Sequence, residues 1–178
     1  MTIKRFIKKG WFRLRKALLF PLVFINHRLY MRLYVVILKS TGIKISGTPR
    51  FIAYSVKIDD FELISFGDRL VISSNVILLT HDYSYTTSLI SIGRAPITDV
   101  GILGPINIGN NVFIGMNSII LPGTRIGNNV IIGAGSVVRG TIEDYSVVTG
   151  NPAKVIGDIR EHAEKISKKN YVLRIDNF

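Results

Sequence analysis

The sequence predicts an all-β solenoid, a parallel β-helix, and three observations support this prediction. From position 108 the 178-residue chain reads IGNNVF IGMNSI ILPGTR IGNNVI IGAGSV VRGTIE, so an aliphatic side chain returns every six residues. Glycine occupies the second position in four of these six hexads. The fifth position is small or branched in all six. The aliphatic first positions are Ile108, Ile114, Ile120, Ile126, Ile132 and Val138.

A period of six has a simple physical interpretation. One inward aliphatic side chain per short strand, followed by a turn, stacks successive strands into flat faces around a central apolar column. Glycine or asparagine at the corners tolerates the left-handed backbone conformations that the turns require. A helix is excluded, because a period of six spreads successive aliphatic residues around a 3.6-residue turn. We therefore predict a β-helix body over residues 46–157.

The same rhythm begins before the six hexads, but it contains a phase shift. FGDRLV ISSNVI LLTHDY follows it over residues 66–83. Upstream, Ile52, Ile58 and Ile64 keep the six-residue spacing and stand two residues out of phase with Phe66. We therefore expect the first coil to be irregular. The inward positions of the later stretch are Phe66, Ile72 and Leu78.

The rhythm stops after Leu78 and resumes at Ile106. The residues between them are aromatic, polar and glycine-rich, which predicts an excursion from the solenoid over 82–105. Long excursions from a rigid scaffold are usually functional. A last coil should end near 150–152, and a C-terminal helix and tail follow over 158–178, with Asp158 as the helix cap.

The positive charge lies in the first part of the chain. Residues 1–50 hold twelve Lys or Arg and no acidic residue, while the remainder holds eleven basic residues against twelve acidic ones. The net charge of +11 therefore comes from this segment. Such a distribution predicts a nearly neutral body carrying a basic arm that is attracted to an anionic partner.

We interpret residues 1–45 as a basic amphipathic helical arm. Its apolar stretches, 17–25 and 33–38, fall short of the roughly 18–20 uncharged residues of a bilayer span. No small-residue cleavage pattern follows Ile25, so a signal peptide fits poorly. Basic residues interleaved with Trp11, Phe20 and Phe24 are typical of helices on an anionic membrane surface. Packing on the body or on a neighbouring subunit is the alternative.

Other features limit the compartment and the partners. The chain has no cysteine, which excludes disulfides, thiolate catalysis and cysteine metal sites and fits a reducing compartment. We expect a cytoplasmic protein, with peripheral contact to the inner membrane face through residues 1–40. We expect no nucleic acid partner, because no recognised fold signature accompanies the charge.

Three motifs together resemble the hexapeptide-repeat acyltransferases: the hexads, THD at 80–82 and GNPAKVIG at 150–157. The nearest branch is that of the galactoside, maltose and xenobiotic acetyltransferases and their polysaccharide O-acetyltransferase relatives. The resemblance covers about residues 50–157. It implies a left-handed β-helix, a homotrimer with active sites between subunits, acetyl-CoA as co-substrate and no metal.

The resemblance implies that His81 is the catalytic base. A neutral alcohol attacks a thioester slowly, and imidazole titrates near neutral pH, so a histidine suits the removal of the hydroxyl proton. Asp82 is not expected to orient His81, because neighbouring side chains in an extended segment point to opposite sides.

The remaining candidate residues fall into two groups. Sugar rings pack on aromatic side chains and hydrogen-bond to amides, so Asn75, Tyr83 and Tyr85 are candidates for the acceptor pocket. Phe113 stands where relatives often carry tryptophan and either joins them or packs internally. By resemblance, Lys154 binds a CoA phosphate, and Arg139 replaces a Thr or Ser common in relatives. The positions that match the family's CoA groove are Met116, Gly133, Ala134, Gly135, Arg139 and Lys154.

The predicted function is acetyl-CoA-dependent O-acetylation of a saccharide hydroxyl, in surface or exopolysaccharide biosynthesis. One alternative is N-acetylation of a nucleotide-linked amino sugar, and another is a non-catalytic β-helix scaffold. Serine O-acetylation is disfavoured, since the long helical N-terminal domain of that branch is not evident. A zinc enzyme of the γ-carbonic anhydrase type needs three convergent histidines, and of His27, His81 and His162 only His81 lies in the coils.

Overall fold

The computed structural model describes residues 3–169, so the end of the predicted C-terminal tail, YVLRIDNF, lies outside the described residues. Three largely parallel sheets, named A, B and C here, make up the body. Each of the four complete coils contributes one strand to each sheet in that order, and the last coil contributes to sheets A and B. Sheet A contains β1 (Lys44–Ile45), β4 (Ile64–Phe66), β9 (Ile106–Ile108), β12 (Arg125–Ile126) and β15 (Thr141–Ile142). Sheet B contains β2 (Phe51–Ile52), β5 (Val71–Ile72), β10 (Val112–Ile114), β13 (Val130–Ile132), β16 (Ser146–Gly150) and β17 (Ala153–Asp158). Sheet C contains β3 (Lys57–Ile58), β6 (Ile77–Leu78), β11 (Ile119–Ile120) and β14 (Val137–Val138).

The hexad periodicity places one buried aliphatic column behind each sheet. In sheet C, Ile58 pairs with Leu78, and Ile120 pairs with both Leu78 and Val138. The first positions of all six hexads are at most 3% exposed, which confirms the predicted inward face. Burial of apolar surface stabilises each coil by roughly 25 cal/mol per Å².

The fifth position of each hexad is also buried, and its hydroxyl groups are satisfied by backbone carbonyls. Ser118 and Ser136 both donate to the carbonyl of Gly133, at 3.1 and 2.6 Å, and Thr124 donates to that of Leu121 at 2.7 Å. Buried polar groups that keep their hydrogen bonds cost little, so small hydroxyl residues fit inside the coil.

The corners of the coils recur in columns. The B–C corner comprises residues 73–75, 115–117 and 133–135, and the C–A corner comprises residues 79–80, 121–123 and 139–140. At the B–C corner Asn75, Asn117 and Gly135 occupy equivalent places, with φ values of 59°, 59° and 70°. This left-handed backbone is available to glycine and tolerated by asparagine, as the sequence suggests.

The predicted irregularity of the first coil is a short 3₁₀ helix, η1 (Phe61–Leu63), inserted between sheets C and A. It lengthens the step from Ile58 to Phe66 to eight residues, which explains the phase shift. Asp59 and Asp60 occupy the start of this insertion, and Phe61 is buried against Phe12 with ring centroids 4.8 Å apart.

The N-terminal segment forms helices that pack on the first coil. Pro21 separates the first two helices, as expected from its lack of a backbone donor. The inner face buries Phe12 and Leu19 from the first helix and Tyr30, Tyr34 and Leu38 from the third. Each described helix is too short or too polar to cross a bilayer. The helices are α1 (Ile3–Leu19), α2 (Leu22–Ile25) and α3 (His27–Ser40).

The excursion and the C-terminus complete the chain. The excursion contains β7 (His81–Asp82), α4 (Ser84–Ser91) and β8 (Ile102–Leu103), and β7 pairs with β8 in antiparallel fashion. The chain closes with an antiparallel pair, β16 and β17, and then α5 (Ile159–Ser167). Asp158 caps α5 by accepting from the Arg160 backbone amide at 2.8 Å. The Arg160 guanidinium donates to the same carboxylate, and it and the backbone amide lower the pKa of Asp158 to about 2.

Candidate active site

His81 stands where sheet C ends and the excursion begins. Its backbone is held by β7, opposite Leu103 of β8, and its side chain is 30% exposed. The ring is therefore neither sealed inside the solenoid nor free in solvent. Its Nδ1 contacts Oδ2 of Asp59 directly and lies 3.7 Å from Oδ2 of Asp60.

Both carboxylates come from the insertion that breaks the hexad phase. The Asp59 amide donates to the Leu78 carbonyl at 3.2 Å, so Asp59 lies one coil below Leu79 at the C–A corner. Thr80, which is fully buried, donates its hydroxyl to Oδ2 of Asp60 at 3.1 Å. The extra residues therefore put two acids beside the corner from which His81 projects.

The N-terminal helix adds a positive charge to this cluster. Nζ of Lys9 lies 3.3 Å from Oδ1 of Asp59 and 3.9 Å from Oδ1 of Asp60. The side chains of Lys9 and Asp59 are 22% and 17% exposed, so solvent screens their interaction only in part. The cluster consists of Lys9, Asp59, Asp60, Thr80 and His81.

The arrangement fixes which imidazole nitrogen can work as a base. A carboxylate at Nδ1 holds the Nδ1–H tautomer, which leaves the lone pair on Nε2. It also stabilises the imidazolium that forms when Nε2 takes a proton. The pair of Asp59 and His81 is thus able to perform general base chemistry on a hydroxyl or amine placed at Nε2.

The same cluster has donor atoms that could surround a cation, since one ligand atom each from Asp59, Asp60 and His81 lie within 4.8 Å of one another. Lys9 already brings a positive charge to both carboxylates. The ion pair with Lys9 therefore accounts for the close approach of the two carboxylates, and a metal ion is not needed to explain it.

Two of the four predicted acceptor residues lie in the excursion beside or near His81. The ring of Tyr83 meets that of His81 edge to face, with centroids 5.4 Å apart, and Tyr83 is 54% exposed. Tyr85 lies in the first turn of α4 and is exposed. Asp82 turns to the Ser84 amide at 2.8 Å, and this hydrogen bond lowers the pKa of the Asp82 carboxyl.

The other two acceptor candidates lie elsewhere on the chain. Asn75 is at the B–C corner, where its positive φ serves the turn and its amide donates to the Ser55 hydroxyl at 2.9 Å. Phe113 lies on the outer face of sheet B and is 43% exposed. Within one chain, neither lies at the corner that carries His81.

The predicted CoA residues lie at three places: the B–C corner, the C–A corner and the C-terminal end of the solenoid. Met116 is exposed at the B–C corner, where its carbonyl accepts from the Gly135 amide at 2.8 Å, and Gly133 and Ala134 lie in the same column. Arg139 lies at the C–A corner, two coils above Leu79, and its charge helps to lower the pKa of Asp82. Lys154 is exposed on β17 at the C-terminal end of the solenoid.

Comparison with known proteins places this geometry in a family. Residues 105–140 match the model described as bacterial transferase hexapeptide (six repeats). The chain is 40% identical over 131 residues to Protein CapG of Staphylococcus aureus, covering 72% of this chain and 73% of that protein. It is 35% identical over 107 residues to the putative acetyltransferase YvoF of Bacillus subtilis, covering 60% and 55%. It is 28% identical over 115 residues to the putative lipopolysaccharide biosynthesis O-acetyl transferase WbbJ of Escherichia coli, covering 60% and 59%.

Solved structures share the fold. A maltose O-acetyltransferase from Clostridium difficile 630 superposes with a TM-score of 0.65 at 24% identity, covering 88% of this chain and 89% of that one. A hexapeptide-repeat acetyltransferase from Vibrio cholerae, solved with acetyl-coenzyme A, gives 0.58 at 20% identity, covering 84% and 87%.

The hexapeptide repeats and the acetyltransferase relatives define a transferase of the acyltransferase class. The chain belongs to the hexapeptide-repeat acetyltransferases.

Sequence reasoning missed Asp59, Asp60 and Lys9. The two-residue phase shift marked the place where the acids enter, but it did not show which side chains would turn toward His81. Lys9 carried no signal beyond its position in a basic amphipathic segment.

Proposed function

We propose that this protein is an acetyl-CoA-dependent O-acetyltransferase that acetylates a hydroxyl of a saccharide. The contact between Asp59 and Nδ1 of His81 is the observation that carries the proposal. It orients an accessible imidazole whose second nitrogen is available for proton transfer, in a family of acyltransferases.

Each residue of the pair has a separate task in this mechanism. Nε2 of His81 removes the hydroxyl proton as the acceptor oxygen attacks the thioester carbonyl, and it returns that proton to the departing thiolate. Asp59 holds the ring and balances its transient charge. A general base is worth about 10² to 10⁴ in rate, so most of the turnover depends on His81.

The choice of a saccharide hydroxyl is supported by three features. Tyr83 provides exposed aromatic surface against His81, and Tyr85 is an exposed aromatic residue in the first turn of the following helix. WbbJ is named for O-acetyl transfer in lipopolysaccharide biosynthesis, and a maltose O-acetyltransferase shares the fold. We place the reaction in surface polysaccharide assembly on this basis. An amine acceptor on a nucleotide-linked sugar is the alternative, and it depends less on a base.

The division of candidate residues between two corners favours a homotrimer, and membership of the hexapeptide-repeat family favours a left-handed coil. In one chain His81 lies on the C–A side and the Met116 column lies on the B–C side. Around a threefold axis the C–A corner of one subunit can face the B–C corner of the next, which would place acetyl-CoA between two subunits. Lys154 and Arg139 then supply cations for the nucleotide phosphates.

The decisive experiment compares wild-type protein with His81→Asn. A thiol reagent reports CoA release without background, because the chain contains no cysteine. Acceptors are screened as oligosaccharides and amino sugars, with mass spectrometry to detect the added acetyl group. We expect acetylation of a hydroxyl and a loss of about 10² to 10⁴ in kcat for His81→Asn, with an unchanged circular dichroism spectrum. A variant that keeps most of its activity with an amine acceptor supports the alternative, and no CoA release with any acceptor supports a scaffold.

We further propose that the arm binds an anionic membrane surface through a face opposite to the one packed on the coils. On α1, Ile7, Trp11, Leu14 and Leu18 recur at helical spacing and are 52–72% exposed. The segment contains no acidic residue to repel an anionic lipid. An apolar stripe flanked by Lys and Arg is typical of helices at a membrane interface.

Sedimentation with vesicles tests this membrane contact. Deleting residues 1–40 would remove core side chains such as Tyr30 and Tyr34, so point variants are preferable. The double variant Trp11→Ser, Leu14→Ser should bind phosphatidylglycerol vesicles about tenfold more weakly. Ile97→Ser, which changes an exposed apolar residue of the excursion, is the matched control. Equal binding by all three proteins, or binding that is indifferent to phosphatidylglycerol, would contradict the contact.

A further inference from the structure

The charge on His81 depends on more groups than the carboxylate that touches it. Asp59 and Asp60 bring two negative charges next to the ring, and Lys9 brings one positive charge to the far side of these carboxylates. With a neutral imidazole the four groups carry one net negative charge. With an imidazolium they are neutral.

We infer that Lys9 of helix α1 and the buried Asp60 are positioning residues that act on His81 through their opposite charges. Asp60 favours the imidazolium and Lys9 opposes it. The two effects oppose each other, and the net charge of the cluster balances the charge that the imidazole acquires during proton transfer. The catalytic consequence rests on the proposed role of His81, but the electrostatic claim does not.

The geometry supports a direct effect of both residues. Asp60 is 8% exposed and anchored by the Thr80 hydroxyl, so its charge is fixed 3.7 Å from Nδ1. Lys9 reaches both carboxylates from a different element of the fold. Within residues 3–169, the other polar groups near the ring are the Tyr83 phenol, the Asp82 carboxylate held by Ser84, and Arg139 near Asp82. None of these joins the contacts at Nδ1.

Lys9 is not needed to hold helix α1 against the β-helix, because other residues of α1 do this. Neighbouring Lys8 pairs with Glu62 at the surface, Lys16 donates to the Val56 carbonyl at 3.2 Å, and Phe12 and Leu19 are buried. These contacts fix α1 on the body independently of Lys9. A lysine whose loss changes His81 but leaves the docking of the helix intact would therefore act through its charge.

Histidine-selective ¹³C labelling measures the proposed effect without any acceptor. The chain has three histidines, and His81→Asn assigns the His81 signal. Lys9→Met removes the positive charge and should raise the midpoint of the His81 titration by about 1 pH unit. Asp60→Asn should lower it by a similar amount, and the double variant should return it close to wild type. Lys9→Arg should keep the wild-type midpoint.

Lys8→Met is the matched control, because it breaks an ion pair on the same helix away from the ring and should leave the midpoint unchanged. Thermal unfolding verifies that each variant is folded, and Lys9→Met against Lys9→Arg decides the question even when Asp60→Asn does not fold. The inference is overturned when the Lys9→Met and Lys9→Arg midpoints agree within about 0.2 pH unit.

An activity profile separates this inference from the proposed function. The acid limb of kcat/KM should move in the same direction as the His81 midpoint in Lys9→Met. Shifted midpoints with an active His81→Asn enzyme would retain the electrostatic claim and reject His81 as the base. An inactive His81→Asn enzyme with unshifted midpoints would do the reverse.

Discussion

Replacing Asp59 with asparagine is the sharpest test of how the site works. Asparagine has nearly the same shape, so the coil and η1 should keep their positions. It removes the negative charge at Nδ1 of His81, and its amide can instead donate to that nitrogen and favour the unproductive tautomer. The variant should therefore affect turnover much more than binding.

The expected loss follows from the strength of the contact. A hydrogen bond to a charged partner is worth about 1.5–3 kcal/mol, and each 1.4 kcal/mol corresponds to a tenfold change in rate. The side chains of Asp59 and His81 are 17% and 30% exposed, so water compensates part of this contribution. We expect kcat to fall by about 10- to 100-fold, with KM for acetyl-CoA nearly unchanged.

Initial rates of CoA release provide the measurement, with the best acceptor from the glycan screen held at saturation. Asp82→Asn is the control, since Asp82 adjoins His81 in the chain but turns to the Ser84 amide. It should stay within about threefold of wild type. An Asp59→Asn enzyme as active as wild type, or two variants with equal losses, would refute the assignment of Asp59.

Three further predictions concern the scaffold. Burial lowers the pKa of Lys16 from 10.5 to about 8, so the free-energy cost of burying its charge is fully present below pH 8 and disappears as the pH rises toward 10.5. Urea unfolding of wild type and Lys16→Met at each pH measures this cost. The free energy of unfolding of wild type should rise by about 2 kcal/mol relative to Lys16→Met across that range, a value that allows for solvent screening. Gly104→Ala would place a Cβ 2.3 Å from the Gly123 backbone nitrogen and should lower stability by about 2–3 kcal/mol, whereas Gly10→Ala, with open space around it, should be neutral or stabilising. Ile120→Ala should cost about 2–5 kcal/mol in the same unfolding assay, because Ile120 is fully buried in the sheet C column.

The periodic part of the fold could be predicted because its physics is local. A hexad needs only an inward aliphatic residue, a small fifth residue and a permissive corner, and each requirement is visible in six consecutive letters. The buried columns and the positive φ of Asn117 and Gly135 follow from this pattern. His81 was recognisable as well, since it stands where the pattern ends.

The partners of His81 could not be predicted in this way, because they depend on long-range register. Asp59 reaches His81 only when Ile58 pairs with Leu78, and that pairing spans a coil lengthened by η1. Lys9 depends in addition on the docking of α1, which is determined by the burial of Phe12 and Leu19. Asn75 forms a corner through its positive φ, and its predicted place in the acceptor pocket depends on a neighbouring subunit and stays a prediction.

The phase shift in the first coil also places two acidic residues beside the candidate catalytic histidine. In the regular coils the C–A corner carries Leu121 and Pro122 or, one coil further, Arg139, and none of these places a negative charge there. The first coil departs from the period at this corner, and Asp59 and Asp60 take the places directly below Leu79 and Thr80. Ladder neighbours in adjacent coils are normally eighteen residues apart, and the insertion makes this separation twenty between Asp60 and Thr80. In a hexad protein, the orienting carboxylate should therefore be sought one coil below the corner histidine. Its position is found by adding the local phase shift to the eighteen-residue spacing between coils.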